Sequence, residues 1–184
     1  MKLVLGLVGD IAAGKTTVTN YIKERHEAVS FRFSDMLRDI LDRLHLEQNR
    51  QNMQTISTAL RTHFGQDAMS RVMMEDIKSA QAPVIIIEGI RRPSDLENLK
   101  QIPNFHLIAI TADARTRFER LTLRNENPDD QSKTWESFQQ DAAREAEQEV
   151  GAITKEAQFI IENNADKETL FTRVEEVLNT LSQQ

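Results

Sequence analysis

The segment Gly9–Thr16 reads GDIAAGKT, and no other stretch constrains the fold of this chain as strongly. It fits the pattern G-x-x-x-x-G-K-[S/T] at every fixed position. The apolar run Lys2–Val8 before it has the character of a strand, and Thr17–Glu24 after it can begin a helix. A strand, a glycine-rich loop and a helix in this order predict a loop whose backbone N–H groups converge on phosphate oxygens at a helix N-terminus.

The residues of this loop have separate expected roles in binding a nucleotide. Lys15 is expected to reach the outer phosphates, and the hydroxyl of Thr16 is expected to ligate magnesium. The expected nucleotide-binding residues of the segment are Gly9, Asp10, Ile11, Ala12, Ala13, Gly14, Lys15, Thr16 and Thr17. The chain therefore resembles the P-loop nucleotide-binding proteins, and this resemblance implies ATP and Mg²⁺ as cofactors. The alternative is a chance match in an ordinary strand, turn and helix.

Composition limits the classes of protein to which this chain can belong. A length of 184 residues with 39% hydrophobic content suits one domain, which we expect to span residues 1–184. The formal net charge of -6 argues against a broad nucleic-acid surface, so any anion site must be a local group of Arg and Lys. No apolar run has the length of a membrane span, and the lack of cysteine fits a reducing interior. We therefore expect a cytoplasmic protein without nucleic-acid or membrane partners.

Strands alternate with helices along the chain. The predicted strands are Lys2–Val8, Ala28–Phe33, Pro83–Ile87, Phe105–Thr111 and Phe159–Ile161. The predicted helices follow the phosphate loop, start at a Ser34 or Asp35 cap, run from Arg50 to Gly65, and cover Met69–Ile77, Pro93–Lys100, Asp113–Arg124, Thr134–Val150 and Asp166–Leu181. This alternation predicts an α/β fold, a doubly wound five-stranded parallel sheet flanked by helices, with ligands at the carboxyl ends of the strands.

Arginines on the helix predicted after the fourth strand are candidates for stabilising a transferred phosphoryl group. Their spacing puts Arg117, Arg120 and Arg124 on one helix face. Arg115 points away from that face. Three cations on one face need an anion or several carboxylates, and the alternative is a solvent-exposed face that pairs with neighbouring acids. The polar loop that follows, about residues 125–134, is the candidate lid.

Three further segments resemble those of adenylate kinases and other nucleoside monophosphate kinases. Ser34–Arg38, SDMLR, is similar to the segment after their second strand. Glu88–Arg91, EGIR, resembles the acidic-Gly-x-x-Arg kind of segment after their third strand. Arg120 and Arg124 have the spacing of the arginines on the helix that enters the lid of these kinases. The resemblance implies that residues 34–80 form a helical acceptor-binding region.

The amino-acid sequences of four longer segments look similar to those of two kinds of bacterial and phage P-loop protein. These are deoxynucleoside monophosphate kinase-like and dephospho-CoA kinase-like proteins. These segments are FSDMLR, ALRTHFG, EGIRRPSDLENL and FHLIAI. Glu88 stands where adenylate kinases usually have Asp, and Phe33, Ser34 and Asp35 stand where dephospho-CoA kinases tend to have D-x-D. The candidate lid contains neither Cys nor His, which excludes a zinc-bound lid.

The resemblance implies a role for each matching residue. The expected catalytic residues are Lys15, Arg91, Arg120 and Arg124. The expected acceptor-binding residues are Asp35, Arg38, Glu88 and Arg91, and the expected magnesium ligands are Thr16 and Glu88. Arg120 and Asn163, the latter in the loop after the last strand, are expected near the nucleotide.

Three of these assignments have open alternatives. Arg91 fits the motif better than Arg92, but a motif position is easily assigned to the wrong one of two neighbouring arginines. Arg38 can instead form an ion pair with Asp42, four residues along the helix. Arg144 is a candidate second lid arginine.

These features together predict a magnesium-dependent kinase that moves the γ-phosphate of ATP to a small phosphorylated acceptor. The expected acceptor is a nucleoside or deoxynucleoside monophosphate. A dephospho-CoA kinase is the alternative within the same class, and a P-loop ATPase or GTPase that acts as a switch without an acceptor is the alternative outside it. The base, the sugar and the choice between monomer and homodimer stay open.

Overall fold

The computed structural model describes residues 2–123, 131, 133–142 and 145–183. Its strands are β1 (Leu3–Val8), β2 (Ala28–Arg32), β3 (Val84–Glu88), β4 (Phe105–Thr111) and β5 (Phe159–Glu162). They form one parallel sheet of five strands in the order β2-β3-β1-β4-β5. The predicted doubly wound parallel sheet is therefore confirmed, with β1 at its centre.

Helices occupy the segments between the strands. They are α1 (Lys15–Arg25), α2 (Phe33–Arg43), α3 (Arg50–Phe64), α4 (Ala68–Ser79), α5 (Pro93–Leu96), α6 (Ala114–Leu123), α7 (Trp135–Ala142), α8 (Glu145–Thr154) and α9 (Lys167–Ser182), with a 3₁₀ turn at Leu99–Gln101. Within the described part of the chain, no helix is long and apolar enough to cross a membrane. The excursion of α2, α3 and α4 between β2 and β3 contains the residues predicted to form the acceptor-binding region.

The start of α2 differs from its predicted cap. The helix begins at Phe33 directly after β2, and Arg32 occupies the N-cap position without a capping side chain. Ser34 and Asp35 lie in the first turn, where their side chains accept hydrogen bonds from Arg38. The prediction that one of them caps the helix is wrong, because the strand leads into the helix without an intervening loop residue.

Two other predicted helices change in extent. The predicted helix Pro93–Lys100 is α5 followed by a separate 3₁₀ turn, in which the N–H of Gln101 bonds to the carbonyl of Asn98, three residues earlier. The predicted helix Thr134–Val150 corresponds to α7 and α8. Helix α8 continues to Thr154, and residues 143 and 144 lie outside the described part of the chain.

Two hydrophobic layers cover the opposite faces of the sheet. Val4 and Val8 of β1 belong to the layer that packs under α2 and α4. Leu5 and Leu7 belong to the layer that packs under α1 and α9. Alternate residues of a strand point to opposite faces, so a strand that is covered on both faces is apolar throughout. Because β1 is covered on both faces along its length, its end is fixed in the sheet, and the phosphate loop begins at that end.

The same substitution at a buried and an exposed strand position tests this packing. Ile86 in β3 is 0% exposed, whereas Ile160 in β5 is 62% exposed. Ile86→Ala leaves a cavity, so we expect the free energy of unfolding to fall by about 2–5 kcal/mol. Ile160→Ala should lower it by less than about 1 kcal/mol, because that side chain is already largely in water. Urea denaturation measures both changes, and equal losses would contradict the burial of Ile86 in the layer under α1 and α9.

Candidate active site

The carboxyl ends of the strands carry many of the residues predicted to be functional. The phosphate loop Gly9–Thr16, called the P-loop below, begins directly after β1 ends. Glu88 is the last residue of β3, which pairs with β1. Asn163 follows the end of β5. Parallel strands end at the same edge of a sheet, so Gly9, Glu88 and Asn163 lie along one edge.

Two glycines allow the P-loop to make its close contacts. The φ of Gly9 is 145°, and a Cβ there would lie 2.1 Å from the carbonyl oxygen of Ile110 in β4. The φ of Gly14 is 107°, and a Cβ there would lie 2.2 Å from Nδ2 of Asn163. Both distances are too short for a side chain, so the loop can pack against β4 and Asn163 only with glycine at these positions.

Lys15 and Thr16 form the first turn of α1. The ammonium of Lys15 donates to the carbonyl oxygens of Gly9 (2.6 Å) and Asp10 (2.8 Å), so its side chain reaches back across the loop. Thr16 is exposed at the same end of the helix. A helix N-terminus carries unpaired N–H groups and a partial positive charge, so this end of α1 suits phosphate oxygens.

A buried arginine of α6 supports the P-loop. Arg117 is 8% exposed, and its guanidinium lies 3.2 Å from the carboxylate of Asp10. Its Nε also donates to the carbonyl oxygen of Ala112, 3.1 Å away. The spacing of the arginines predicts that Arg117 faces inward, but no sequence pattern identifies Asp10 as its partner, because the two residues lie on separate elements far apart in the chain.

Arg120 and Asn163 form a second support for the P-loop. Nη1 of Arg120 donates to the backbone carbonyl of Asn163 at 2.8 Å. The buried amide of Asn163 in turn donates from Nδ2 to the carbonyl of Ala13 at 2.8 Å. Asn163 therefore fixes the backbone of the loop in this structure, and the expected contact of its side chain with a nucleotide stays a prediction.

Arg115 lies on the exposed side of α6, as its position in the sequence predicts. It forms an ion pair with Glu119 at 3.2 Å, and its guanidinium lies 5.5 Å from the ring centroid of Trp135. A solvent-exposed face is the alternative for Arg117 and Arg120, but both of these arginines bind groups next to the P-loop.

Part of the predicted site lies outside the described residues. Arg124, the predicted partner of Arg120 in catalysis, belongs to this part, as does Arg144. Most of the candidate lid, residues 125–130 and 132, belongs to it as well. The roles expected for these residues stay predictions.

Glu88 forms a partly buried ion pair at the end of β3. Its carboxylate is buried and accepts hydrogen bonds from Nη2 of Arg32 at 3.2 and 3.3 Å. The register of the sheet places Arg32 of β2 directly beside Glu88. Sequence analysis misses Arg32, because this pairing depends on the register of two strands that are distant in the chain.

The residues predicted to hold magnesium suit that ion chemically. Thr16 offers a hydroxyl oxygen and Glu88 a carboxylate, which are the hard oxygen ligands that Mg²⁺ takes. Mg²⁺ keeps several of its waters and needs few protein ligands. A carboxylate has more lone pairs than Arg32 uses, so contact of Glu88 with the ion through water is compatible with the ion pair.

Arg38 binds two polar side chains, a hydroxyl and a carboxylate, at the start of its own helix. Its Nη1 donates to Oγ of Ser34 at 2.7 Å and to Oδ1 of Asp35 at 2.9 Å. The alternative pair with Asp42 is wrong, since Asp42 accepts instead from Gln48 at 2.6 Å. Arg38 and Asp35 are 39% and 58% exposed through their side chains, so an acceptor can reach both.

Asp95 fixes the backbone of the segment after β3. Its Oδ2 accepts hydrogen bonds from the backbone N–H groups of Arg91 and Arg92, both at 3.0 Å. The side chain of Arg91 is exposed, and that of Arg92 lies 3.9 Å from Glu149. Counted from Glu88, an acidic-Gly-x-x-Arg spacing ends at Arg92, so the preference for Arg91 by motif position does not follow from the spacing.

Residues 8–139, which run from the end of β1 into α7, match the profile of a family described as the AAA domain. The chain belongs to the AAA domain family. The match to this family includes the P-loop, the region from α2 to α4 and the arginines of α6. These are the elements that form the candidate active site.

Similar proteins cover nearly the whole chain. A UPF0200 protein of Methanococcus maripaludis strain C6 is 28% identical over 168 residues, which are 90% of each chain. A UPF0200 protein of Thermococcus onnurineus is 24% identical over 184 residues, with 97% of this chain and 98% of the relative covered. Shikimate kinase from Bacteroides thetaiotaomicron has a solved structure that matches with a TM-score of 0.65 and 16% identity over 98% of both chains. The last likeness, at this level of identity, shows the fold alone.

The ion pair between Arg117 and Asp10 can be tested through nucleotide affinity. Arg117→Met leaves a carboxylate in the phosphate loop without its counter-ion, so we expect the dissociation constant for ADP to rise roughly tenfold. The double variant Asp10→Asn, Arg117→Met should recover most of this loss, because the unpaired charge is gone. Titration with a fluorescent ADP analogue measures the affinities.

Arg115→Met is the matched control, since it removes an arginine from the exposed side of the same helix. Its affinity for ADP should equal that of the wild type. An equal loss of affinity in the single variant Arg117→Met and in the double variant would contradict the electrostatic explanation.

Proposed function

We propose that this protein is an ATP-dependent phosphotransferase whose acceptor is a nucleoside or deoxynucleoside monophosphate. One arrangement carries the proposal: the P-loop and two arginine-bearing segments follow the carboxyl ends of neighbouring strands. These segments are the start of α2, with Arg38, and the loop after β3, with Arg91 and Arg92. A phosphate-binding loop with a second cationic site nearby suits transfer of a phosphoryl group between two phosphorylated molecules.

On the donor side, the P-loop backbone and Lys15 bind the phosphates of ATP. Thr16, and Glu88 directly or through water, would hold Mg²⁺, which would supply positive charge at the outer phosphates. Arg120, with Arg124 as its predicted partner, adds positive charge where the transferring group becomes more anionic. Transfer of this kind needs cations and positioning more than a covalent residue.

On the acceptor side, Arg38 and Arg91 bind the acceptor phosphate, and Asp35 orients it. The ion pair between Arg38 and Asp35 is exposed, and exposed pairs contribute little free energy, so Arg38 can exchange it for a phosphate. A phosphomonoester with a second pKa of about 6 is largely dianionic near neutral pH. Its attacking oxygen therefore needs no strong general base.

Release of ADP from ATP across a panel of acceptors tests the proposal. The panel contains the nucleoside monophosphates, the deoxynucleoside monophosphates, dephospho-CoA and shikimate, with ATP alone as the baseline. Shikimate is included because kinases named for it share this fold. Stimulation by a monophosphate supports the proposal; stimulation only by dephospho-CoA or shikimate, or turnover that no acceptor changes, would replace it.

The contribution of Lys15 can be separated from a general charge effect. Lys15→Ala removes the cation expected at the outer phosphates, and we expect kcat/KM for transfer to fall roughly 10²–10³-fold while the fold persists. Lys23→Ala, on the exposed side of the same helix, is the control and should keep wild-type activity. Circular dichroism verifies the fold, and full transfer by a folded Lys15→Ala variant would refute the P-loop role.

Asp35 distinguishes a phosphate acceptor from a hydroxyl acceptor. With a monophosphate acceptor, Asp35→Asn should mainly raise the acceptor KM, because Asp35 orients the acceptor. A hydroxyl acceptor needs a base, and loss of a general base typically costs ~10²–10⁴-fold in rate. Steady-state kinetics at saturating ATP measure both constants, with Asp39→Asn on the same helix as control. A large fall in kcat with an unchanged acceptor KM would count against the monophosphate acceptor.

A further inference from the structure

A buried ion pair joins the acceptor region to the loop after β3. Nη2 of Arg61, near the end of α3, lies 2.6 Å from Oδ1 of Asp95 in α5. The two side chains are only 6% and 2% exposed. Removing two charges from water is costly, and a buried pair of this kind adds little net stability compared with apolar residues of the same size. Stability alone therefore does not account for this ion pair, which also holds other groups in place.

The two carboxylate oxygens of Asp95 bind different partners. Oδ1 binds Arg61, while Oδ2 accepts from the backbone N–H groups of Arg91 and Arg92, both at 3.0 Å. This double acceptance holds the two peptide groups in one orientation. The direction in which the Arg91 and Arg92 side chains leave the backbone depends on that orientation.

Arg61 binds the acceptor region at the same time. Its Nη1 donates to the carbonyl oxygen of Gln66, in the turn between α3 and α4, at 2.6 Å, and to Oγ of Ser94 at 3.2 Å. Helix α3 packs against α2, the helix that carries Arg38. The pair thus connects the element with Arg38 to the loop with Arg91 and Arg92.

We propose that Arg61 and Asp95 are positioning residues for the acceptor, which set the separation and orientation of the arginines on α2 and after β3. The inference rests on the proposed function and deepens it, because it identifies what aligns the two halves of the acceptor site. Neither residue touches the acceptor. Their effect should appear in the acceptor KM and not in the affinity for ATP. ATP binds at the P-loop, and the position of that loop depends on β1, β4 and Asn163.

Two matched double variants separate positioning from mere stability. In the first, Arg61→Met with Asp95→Asn, the buried charges are gone but an amide oxygen can still accept from the N–H groups of residues 91 and 92. In the second, Arg61→Met with Asp95→Leu, the charges are gone and so is the acceptor. Asn and Leu have similar size, so the two variants differ mainly in this hydrogen bonding. Thermal unfolding and titration with a fluorescent ATP analogue verify that both are folded and bind the donor.

We expect the acceptor KM of the Asn variant to stay within about threefold of the wild type, whereas that of the Leu variant rises roughly tenfold or more. The ATP affinity of both should match the wild type. Equal acceptor KM values in the two folded double variants would overturn the inference. If the Leu variant does not fold, Asp95→Glu decides, because it keeps the charge but displaces the acceptor oxygens; an unchanged acceptor KM in that variant would also overturn the inference.

Failure of the proposed function is recognisable before any variant is made. A wild-type protein that no monophosphate stimulates refutes the proposed acceptor, and this positioning role with it. A wild-type protein that transfers to a monophosphate, combined with indistinguishable double variants, refutes the positioning role alone.

Discussion

The close contact between the P-loop and the sheet is the constraint on which the rest of the structure depends. At Gly9 the chain passes so near the carbonyl of Ile110 that no side chain fits, and at Gly14 it passes equally near the amide of Asn163. The loop can take this path because β1 is the central strand, with β3 and β4 on its two sides. The neighbouring strands and their connecting loops therefore set the position of the N–H groups that are proposed to bind phosphate.

Three acids along this part of the molecule are each paired with an arginine from another element. The pairs are Asp10 with Arg117, Glu88 with Arg32, and Asp95 with Arg61. In a chain with a formal net charge of -6, such pairing limits repulsion between the site and the phosphates that it is proposed to bind. The pairing also connects α6 to the segment after β1, β2 to the end of β3, and α3 to α5.

The local features of this fold could be predicted from the sequence, because they depend on residues close together in the chain. The strand Phe105–Thr111 has its predicted bounds, and Gly65 ends α3 as its conformational freedom suggests. The pairing of Arg38 could not be predicted, since Asp35 and Asp42 both lie within reach on the same helix. Arg32 and the pair of Arg61 with Asp95 were beyond prediction, because strand register and helix packing bring together residues that no local spacing relates.

The two halves of the proposed site are held in different ways. The donor half follows directly from β1, whose buried residues are covered on both faces and leave it little freedom. The acceptor half lies partly on α2, and this helix and its neighbours α3 and α4 pack on the sheet through hydrophobic contacts. Such contacts are non-directional, so packing alone permits small shifts of these helices. Phosphoryl transfer is sensitive to displacements of about 1 Å. A buried ion pair such as Arg61 with Asp95, bonded also to backbone groups on both sides, supplies the direction that hydrophobic packing lacks.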